Sequence, residues 1–581
     1  MTVIERTEAP EPAPELRERF HPVLAQVYAA RGVSDPGEVQ YSLSDLPSPA
    51  ALAGMAEATA LLEQALAGRW RILVVGDFDA DGATSTTVAV RGLRAMGAAE
   101  VDFLVPNRFE YGYGLTPEIV AVAAERSPDL IVTVDNGISS LDGVAAARAA
   151  GIRVLVTDHH LPGAELPEAD ALVNPAAVGG TFPSRALAGV GVIFYVLLGL
   201  RSRLREAGWF AAQGMEPPNL ATFLDLVALG TVADVVPLDW LNRALVAQGL
   251  ARIRAGHACP GIAALMAAAG RAPERLVAAD LGFAVGPRLN AAGRLDDMSV
   301  GIRCLLSDDA ASARELAGAL DRLNRERREI EQQMQAEALQ RVAALAAGEG
   351  LSGRLPRGLC LYDPDWHEGV VGIVASRVKD RLHRPVIAFT DSSEGEIKGS
   401  ARSVPGLHIR DVLDAVAARH PDLLRRFGGH AMAAGLTLAK GALEAFEAAF
   451  DDEVRQWLGE DDLTGRVVSD GPLAGNEVDL ELAERVRTAG PWGQGFPEPT
   501  FDGVFELVDQ RLVGECHLKL VLRWPDTRRT VSAILFNADL EVWPCRVERV
   551  EAAYRLDVND YRGEQTLQLR LTHLRPLGTA C

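Results

Sequence analysis

Ile72-Leu73-Val74-Val75-Gly76-Asp77-Phe78-Asp79-Ala80-Asp81-Gly82 runs from an aliphatic stretch straight into three carboxylates at alternate positions. Its first part has the length and residue types of a buried strand. The pattern returns twice: Leu130-Ile131-Val132-Thr133-Val134 leads into Asp135-Asn136-Gly137, and Val154-Leu155-Val156-Thr157 leads into Asp158-His159-His160. Between these runs lie Ala- and Leu-rich stretches of helical character, at residues 86–98 and 139–150. Strand and helix in alternation predict a doubly wound parallel sheet from about Ala51 to Pro175. In such a sheet all three acidic segments leave the carboxyl ends of strands, the rim where α/β folds bind ligands. Five carboxylates and two imidazoles gathered there would repel one another without cations between them. The pattern therefore predicts a metal-dependent enzyme.

Each motif alone is weak. The spacing of Asp77, Asp79 and Asp81 is shared with calcium loops and solvated helix caps, although Val88 stands where an EF-hand carries its last glutamate. Asp135-Asn136 fits an ordinary Asx turn. His159 and His160 are adjacent, so their rings point to different sides. One can take a metal while the other faces substrate, with a carboxylate fixing the tautomer. A fourth candidate is Asp234, flanked by valine and alanine between Leu226 and Pro237. Such a carboxylate is costly to bury unless it is paired or metal-bound. The mixed carboxylate and histidine set favours manganese or magnesium over structural zinc, which prefers thiolates.

The chain of 581 residues is too long for one core and implies three or more domains. A net charge of −21 argues against indiscriminate nucleic-acid binding and leaves room for a local basic groove. Only four residues are lysine, so the positive charge is nearly all arginine. The six cysteines are scattered with no CxxC pair, which suits a reducing cytoplasm. No basic-then-apolar leader opens the chain, and the longest apolar run, Leu187 to Leu200, is short of the ~20 residues of a membrane helix. A cytoplasmic protein with no membrane contact is expected.

Composition divides the chain as follows. Residues 1–50 form an N-terminal segment, its Pro/Glu-rich first twenty residues disordered. Residues 51–310 form the sheet-based domain and the helices after it. Residues 311–350 read as one long connecting helix, a solvated spacer with Gly318 its only glycine before Gly348. Residues 351–455 form a second, smaller α/β domain, with strands near 358–362 and 385–390 and helices near 370–382 and 409–419. Residues 456–581 switch to short strands bounded by Gly, Pro and Asn, the pattern of a β-barrel of OB size.

Taken in order, Asp77–Gly82, Val134–Gly137, Asp158–His160 and Gly230–Leu238 resemble the DHH phosphoesterase superfamily. Pro287–Arg294, His367–Arg377, Gly399–Ser403, Gly428–Gly435, Gly490–Pro499 and Val558–Gly563 narrow the resemblance to its bacterial single-strand-specific 5′→3′ DNA exonucleases, over roughly Ala51 to Pro576. The resemblance implies an α/β fold: a doubly wound DHH domain, a long helix, a DHHA1 domain and a C-terminal OB-fold barrel. It implies two divalent ions, Mn2+ or Mg2+, on Asp79, Asp81, Asp135, His159 and Asp234, with Asp77 a ligand or a neighbour of one. His160 would contact the scissile phosphate or the attacking water. Arg108, Ser400 and Arg402 would grip the 5′-terminal phosphate from opposite sides of an interdomain cleft, arginine being suited to paired hydrogen bonds with phosphate. Arg288, Asn290, Arg294, His367, Arg377 and His430 would line the path of the strand or steady the cleft. Trp492, Phe496, Tyr554 and Tyr561 are candidates for base stacking, though aromatics in a small barrel are more often core. The implied partners are single-stranded DNA, a single-strand-binding protein and a helicase. The rival readings are a phosphoesterase of short oligonucleotides or cyclic dinucleotides and an inactive replication scaffold.

Overall fold

The computed structural model describes residues 2–106, 114–177, 180–347, 355–392, 395–540, 542–561 and 563–578. They divide into two compact units, residues 6–324 with 469–581 and residues 1–5 with 325–468.

The sheet of the larger unit is parallel throughout, as the alternation of runs predicts. From one edge its strands are Glu100–Leu104, Arg71–Gly76, Leu130–Val134, Arg153–Thr157 and Ala171–Val173. Ile72 to Val75, Leu130 to Val134 and Val154 to Val156 are buried, the signature of a sheet covered on both faces. The chain moves to one side after Arg71–Gly76 and to the other for Leu130–Val134, which makes a topological switch point between them. Gly76 pairs with Val134, Val134 with Thr157, and Thr157 with Val173. The strands therefore stop in step, and the next residues, Asp77, Asp135 and Asp158, issue from one rim.

Helix Ala80–Ala95 packs on helices Gly189–Glu206 and Leu224–Ala233. The apolar run Leu187 to Leu200 supplies much of this contact, with Val190 and Val192 through Leu197 buried. No described helix is long and apolar enough to cross a membrane.

The same unit holds the barrel. Strands Phe501–Val513, His517–Arg523, Thr530–Leu535, Glu564–Leu577 and Arg549–Tyr561 close in that order, with Thr530–Leu535 parallel to Glu564–Leu577 and the other pairs antiparallel. A helix, Leu480–Thr488, precedes it within the stretch expected to be all β. Barrel residues Phe505, Trp524 and Tyr554 belong to one continuous apolar cluster with Val190, Leu226 and Leu289 of the sheet-based domain.

The first twenty residues differ from the disorder expected of them, and the N-terminal segment that they open is docked on the fold. It holds a strand, Thr2–Arg6, and helices Pro14–Arg19 and Pro22–Ala30, with Leu16, Val27 and Tyr28 buried. Tyr28 donates a hydrogen bond to the Ala489 carbonyl, and Arg31 forms a buried ion pair with Asp470 at 2.7 Å. Low hydrophobicity in a window hides the few side chains that dock.

The smaller unit has its own core around Phe389, Phe446 and Phe450. Its sheet runs Arg426–Gly429, Ala433–Ala439, Glu396–Arg402, Val386–Asp391 and Leu359–Tyr362, antiparallel except for the last pair. The long helix spans Ala310–Ala347. Up to Asn324 it buries Ala313, Ala317 and Leu320 in the larger unit's core. Beyond it, Met334, Ala338 and Val342 are buried, and buried Glu331 accepts hydrogen bonds from Arg327 and Arg377 at 2.9 and 2.8 Å. The helix is thus anchored along both parts rather than solvated.

Candidate metal centre

Each carboxylate at the rim is held by backbone geometry. Asp79 caps helix Ala80–Ala95, accepting from the Gly82 N–H at 2.9 Å. Asp81, in the first turn and buried, accepts from the N–H groups of Gly189 and Val190 at 2.7 and 3.0 Å. These donors open helix Gly189–Glu206, where the helix dipole favours an anion. A Cβ on Gly189 would fall 2.6 Å from the Asp135 Cβ, so only glycine lets this helix reach the cluster. Asp135 itself has φ 63°, a left-handed conformation that costs an aspartate roughly 1–3 kcal/mol. Asp234 closes helix Leu224–Ala233, and the next residue, Val235, also has φ 63°. Two strained residues therefore border one cluster.

His159 is its centre. Its Nε2 lies 3.1 Å from Asp135 Oδ1, 3.4 Å from Asp234 Oδ2 and 4.0 Å from Asp81 Oδ2. Three sets of potential ligands, each with atoms within 4.8 Å of one another, overlap here: Asp135 with His159 and His160, Asp81 with His159 and Asp234, and Asp77 with Asp79 and Asp135. The sharing of Asp135 and His159 between sets suits a pair of ions with common ligands. Oxygen and imidazole donors without thiolate suit Mn2+ or Mg2+.

The electrostatics agree. Burial, and then the charges of Asp234 and Asp79, push the Asp81 carboxyl well above the usual range. Burial, with Asp81, Asp79, Asp234 and Asp77 around it, does the same to Asp135. Burial and Asp79 raise Asp234 to about 7. Unneutralised, the cluster holds protons, and a divalent cation is what it fits.

Asp158 plays a different part. Its Oδ1 accepts from the N–H groups of His159 and His160 at 2.7 and 3.1 Å and lies 2.7 Å from His160 Nδ1, while Oδ2 accepts from the Ile138 N–H at 2.9 Å. Burial alone would raise its pKa, but the bonds and charge of His160 outweigh that and lower it. For His160 burial is likewise overcome by Asp158, with help from Asp234 and Asp77, and its pKa rises to about 9. An ionised Asp158 places the proton on His160 Nδ1 and fixes the ring.

Asn290, expected along the DNA path, has a different place. Its Oδ1 accepts from the Ala80 N–H at 2.7 Å, between Asp79 and Asp81. Arg288 pairs with Asp321 through two nitrogens at 3.0 and 2.9 Å and donates to the Ala284 carbonyl, so its fork is engaged within the fold. Arg294 is half-buried. In the smaller unit, Arg402 Nη1 donates to Ser400 Oγ at 3.0 Å on one strand, and a Cβ on Gly372 would lie 2.6 Å from Arg402 Nη2 and 2.8 Å from Ser400 Oγ. Gly372 stands in the first turn of helix Val371–Leu382, so guanidinium, hydroxyl and helix N-terminus face one small space. In the same unit His430 is exposed, His367 is half-buried and Arg377 is paired with Glu331. Arg108 and the Tyr561 side chain lie outside the described residues.

The stacking assignments need correction. Phe496 and Tyr554 are buried, Tyr554 against Phe501 and Phe505 inside the barrel. Trp492 stacks on Phe496 at 5.2 Å, donates its Nε1–H to the Val486 carbonyl and lies under Arg31 at 5.4 Å. Arg243 covers Phe496 at 4.2 Å. These rings join barrel, N-terminal helix and sheet-based domain; Phe496 and Tyr554 offer no face to a base, and half-buried Trp492 is stacked on Phe496. The Asp81 donors, Gly189 and Val190, escaped notice in the sequence; a Gly-Val-Gly start to an otherwise bulky helix was their trace.

Models of three families match the chain: the DHH family N-terminal domain over residues 71–231, the DHHA1 domain over 356–459 and the RecJ OB domain over 469–573. The single-stranded-DNA-specific exonuclease RecJ of Dickeya dadantii is 56% identical over 97% of each chain. RecJ from Thermus thermophilus in complex with Mn2+ superposes with a TM-score of 0.81 at 32% identity, covering 100% of this chain and 80% of that one. The same protein in complex with Mg2+ gives 0.75 at 31%, covering 100% and 79%.

Proposed function

The chain belongs to the RecJ family of single-stranded-DNA-specific exonucleases, and from that premise we propose that it degrades single-stranded DNA from the 5′ end to 5′-mononucleotides. One observation carries the reading: ligand sets sharing Asp135 and His159 sit at the switch point of the sheet, in a chain similar to these nucleases along nearly its whole length.

Asp79, Asp81, Asp135, His159 and Asp234 are the proposed ligands of two ions, Mn2+ or Mg2+, with Asp77 beside them. When bound, such a pair activates water and neutralises charge on the phosphate under attack. Everything else falls to the protein. Asp158 holds His160 with its proton on Nδ1, so that Nε2 is the nitrogen turned toward substrate. Ser400, Arg402 and the N-terminus of helix Val371–Leu382 form an anion cradle for the 5′-terminal phosphate. Only a chain end presents that group, which accounts for polarity. A cytoplasmic setting, with a single-strand-binding protein and a helicase supplying substrate, fits this chemistry.

The test is product analysis on 5′-labelled single strands of graded length with Mn2+ or Mg2+. Labelled mononucleotide is expected as the first product at every length, and Asp135→Ala is expected to abolish it while the strand is still bound. Cleavage confined to dinucleotides would favour the short-oligonucleotide reading. Binding without cleavage by the native chain would favour the scaffold.

A further inference from the structure

Residues Ala278–Leu295 form a continuous helical run interrupted by a π-helical turn, Leu281–Val285. A π turn widens the helix locally and is frequent at functional sites. Leu281, Ala284 and Val285 of this turn are buried, yet Phe283 is 87% exposed, the most exposed large apolar side chain described. Further along, the same run supplies Asn290, whose amide oxygen holds the Ala80 N–H between two proposed metal ligands. The element that presents the ring also fixes the acidic loop.

Phe283 stands in a groove of about 720 Å³ between the catalytic domain and the segment leading into the barrel. One wall includes Val235, itself 62% exposed and in a strained left-handed conformation. Val235 directly follows Asp234, whose carboxylate is 3.4 Å from His159 Nε2, so the groove opens one residue from the metal centre. Arg254, Arg487 and Arg555 line it; Arg555 pairs with Glu498 at 2.7 Å and Arg487 with Glu484 at 2.5 Å, while Arg254 donates to the Leu276 carbonyl, so the three arginines at this edge stand against two carboxylates. A surface that is apolar at its centre, cationic at its edge and continuous with a phosphodiesterase centre matches unpaired nucleotides.

We infer that Phe283 is the platform on which a base of the bound single strand stacks, a few nucleotides from the scissile bond. The inference rests on the function proposed above and deepens it. It moves base recognition from buried Phe496 and Tyr554 to the π turn of the catalytic domain, with Trp492, half-buried and stacked on Phe496, in the wall of the same groove. It also contributes to strand selection, because a base within a duplex has both faces stacked and offers none to Phe283.

The experiment uses the full chain with Mn2+. Phe283→Ala and Phe283→Trp are compared with the native protein on a long 5′-phosphorylated single strand and on a dinucleotide. A second readout is the fluorescence of 2-aminopurine placed at successive positions from the 5′ end. In Phe283→Ala the KM for the long strand is expected to rise about tenfold relative to that for the dinucleotide, one lost stacking contact. Quenching at one position should disappear, and Phe283→Trp should restore both. An unchanged KM ratio and unchanged quenching, with the native chain degrading the long strand, would overturn the inference and leave the groove to a protein partner. Equal losses on both substrates in both variants would also overturn it, as a structural role. A native chain that fails to degrade single strands would instead remove the proposed function.

Discussion

Asp135 shows what the cluster costs and what it gains. Its backbone is left-handed, its carboxyl is buried, and four other aspartates raise its pKa. The metal-free state therefore carries protons at the rim. Asp81 and Asp135 lie well above the ordinary carboxylate value, and Asp234 is near 7. For groups raised in the folded state, the associated stability is complete at acid pH and is lost as pH climbs through the raised values. A divalent ion must displace these protons to bind. Its apparent affinity is thus expected to increase from about pH 6 to about pH 8, measured by Mn2+ titration with electron paramagnetic resonance of the free ion. A flat or falling profile would contradict the proton-loaded cluster. Asp77, Asp135 and Asp158 were legible in the sequence because each follows a strand at the same step, whereas Asp234, which closes a helix, stood out only by its apolar flanks. That one histidine would join the carboxylates and the other be held by a carboxylate was legible too; that Asp158 is the carboxylate behind His160 was not, since adjacent side chains differ only in the backbone that aims them.

At the scale of elements, the long helix was legible in its extent and misread in its role. Absence of proline predicts Ala310–Ala347 well, but many charges along it suggest solvent. Several of those charges are tied into the fold: Glu331 holds Arg327 and Arg377, Glu337 accepts from Trp366 Nε1, and Arg341 pairs with Asp363. Composition counts charges and cannot say which of them face a partner. Glu331→Ala leaves two guanidinium groups without their shared acceptor and is expected to cost about 1–3 kcal/mol, read from chemical denaturation of the full chain. A change within a few tenths would return the helix to the role of spacer. The aromatic assignments failed for a related reason. Trp492, Phe496 and Tyr554 occur where the family motifs direct attention, but whether a ring is a surface or a core depends on what packs against it.

Across the whole molecule, three domain types follow one another along the chain, and all three were legible from changes of period. The same changes mark where the pattern switches and not where cooperativity does. The OB barrel and the DHH domain share one apolar cluster, whereas the DHHA1 domain has a separate one. Heat should treat the chain accordingly. Scanning calorimetry is expected to resolve two endotherms, with barrel and catalytic domain absorbing heat together and the DHHA1 domain on its own. Three endotherms would mean that the shared cluster is too weak to couple them. The inheritance implied by two endotherms is specific. A lineage can exchange or lose the DHHA1 domain without disturbing the catalytic core, while replacing the barrel requires a matching repair of the core beneath it.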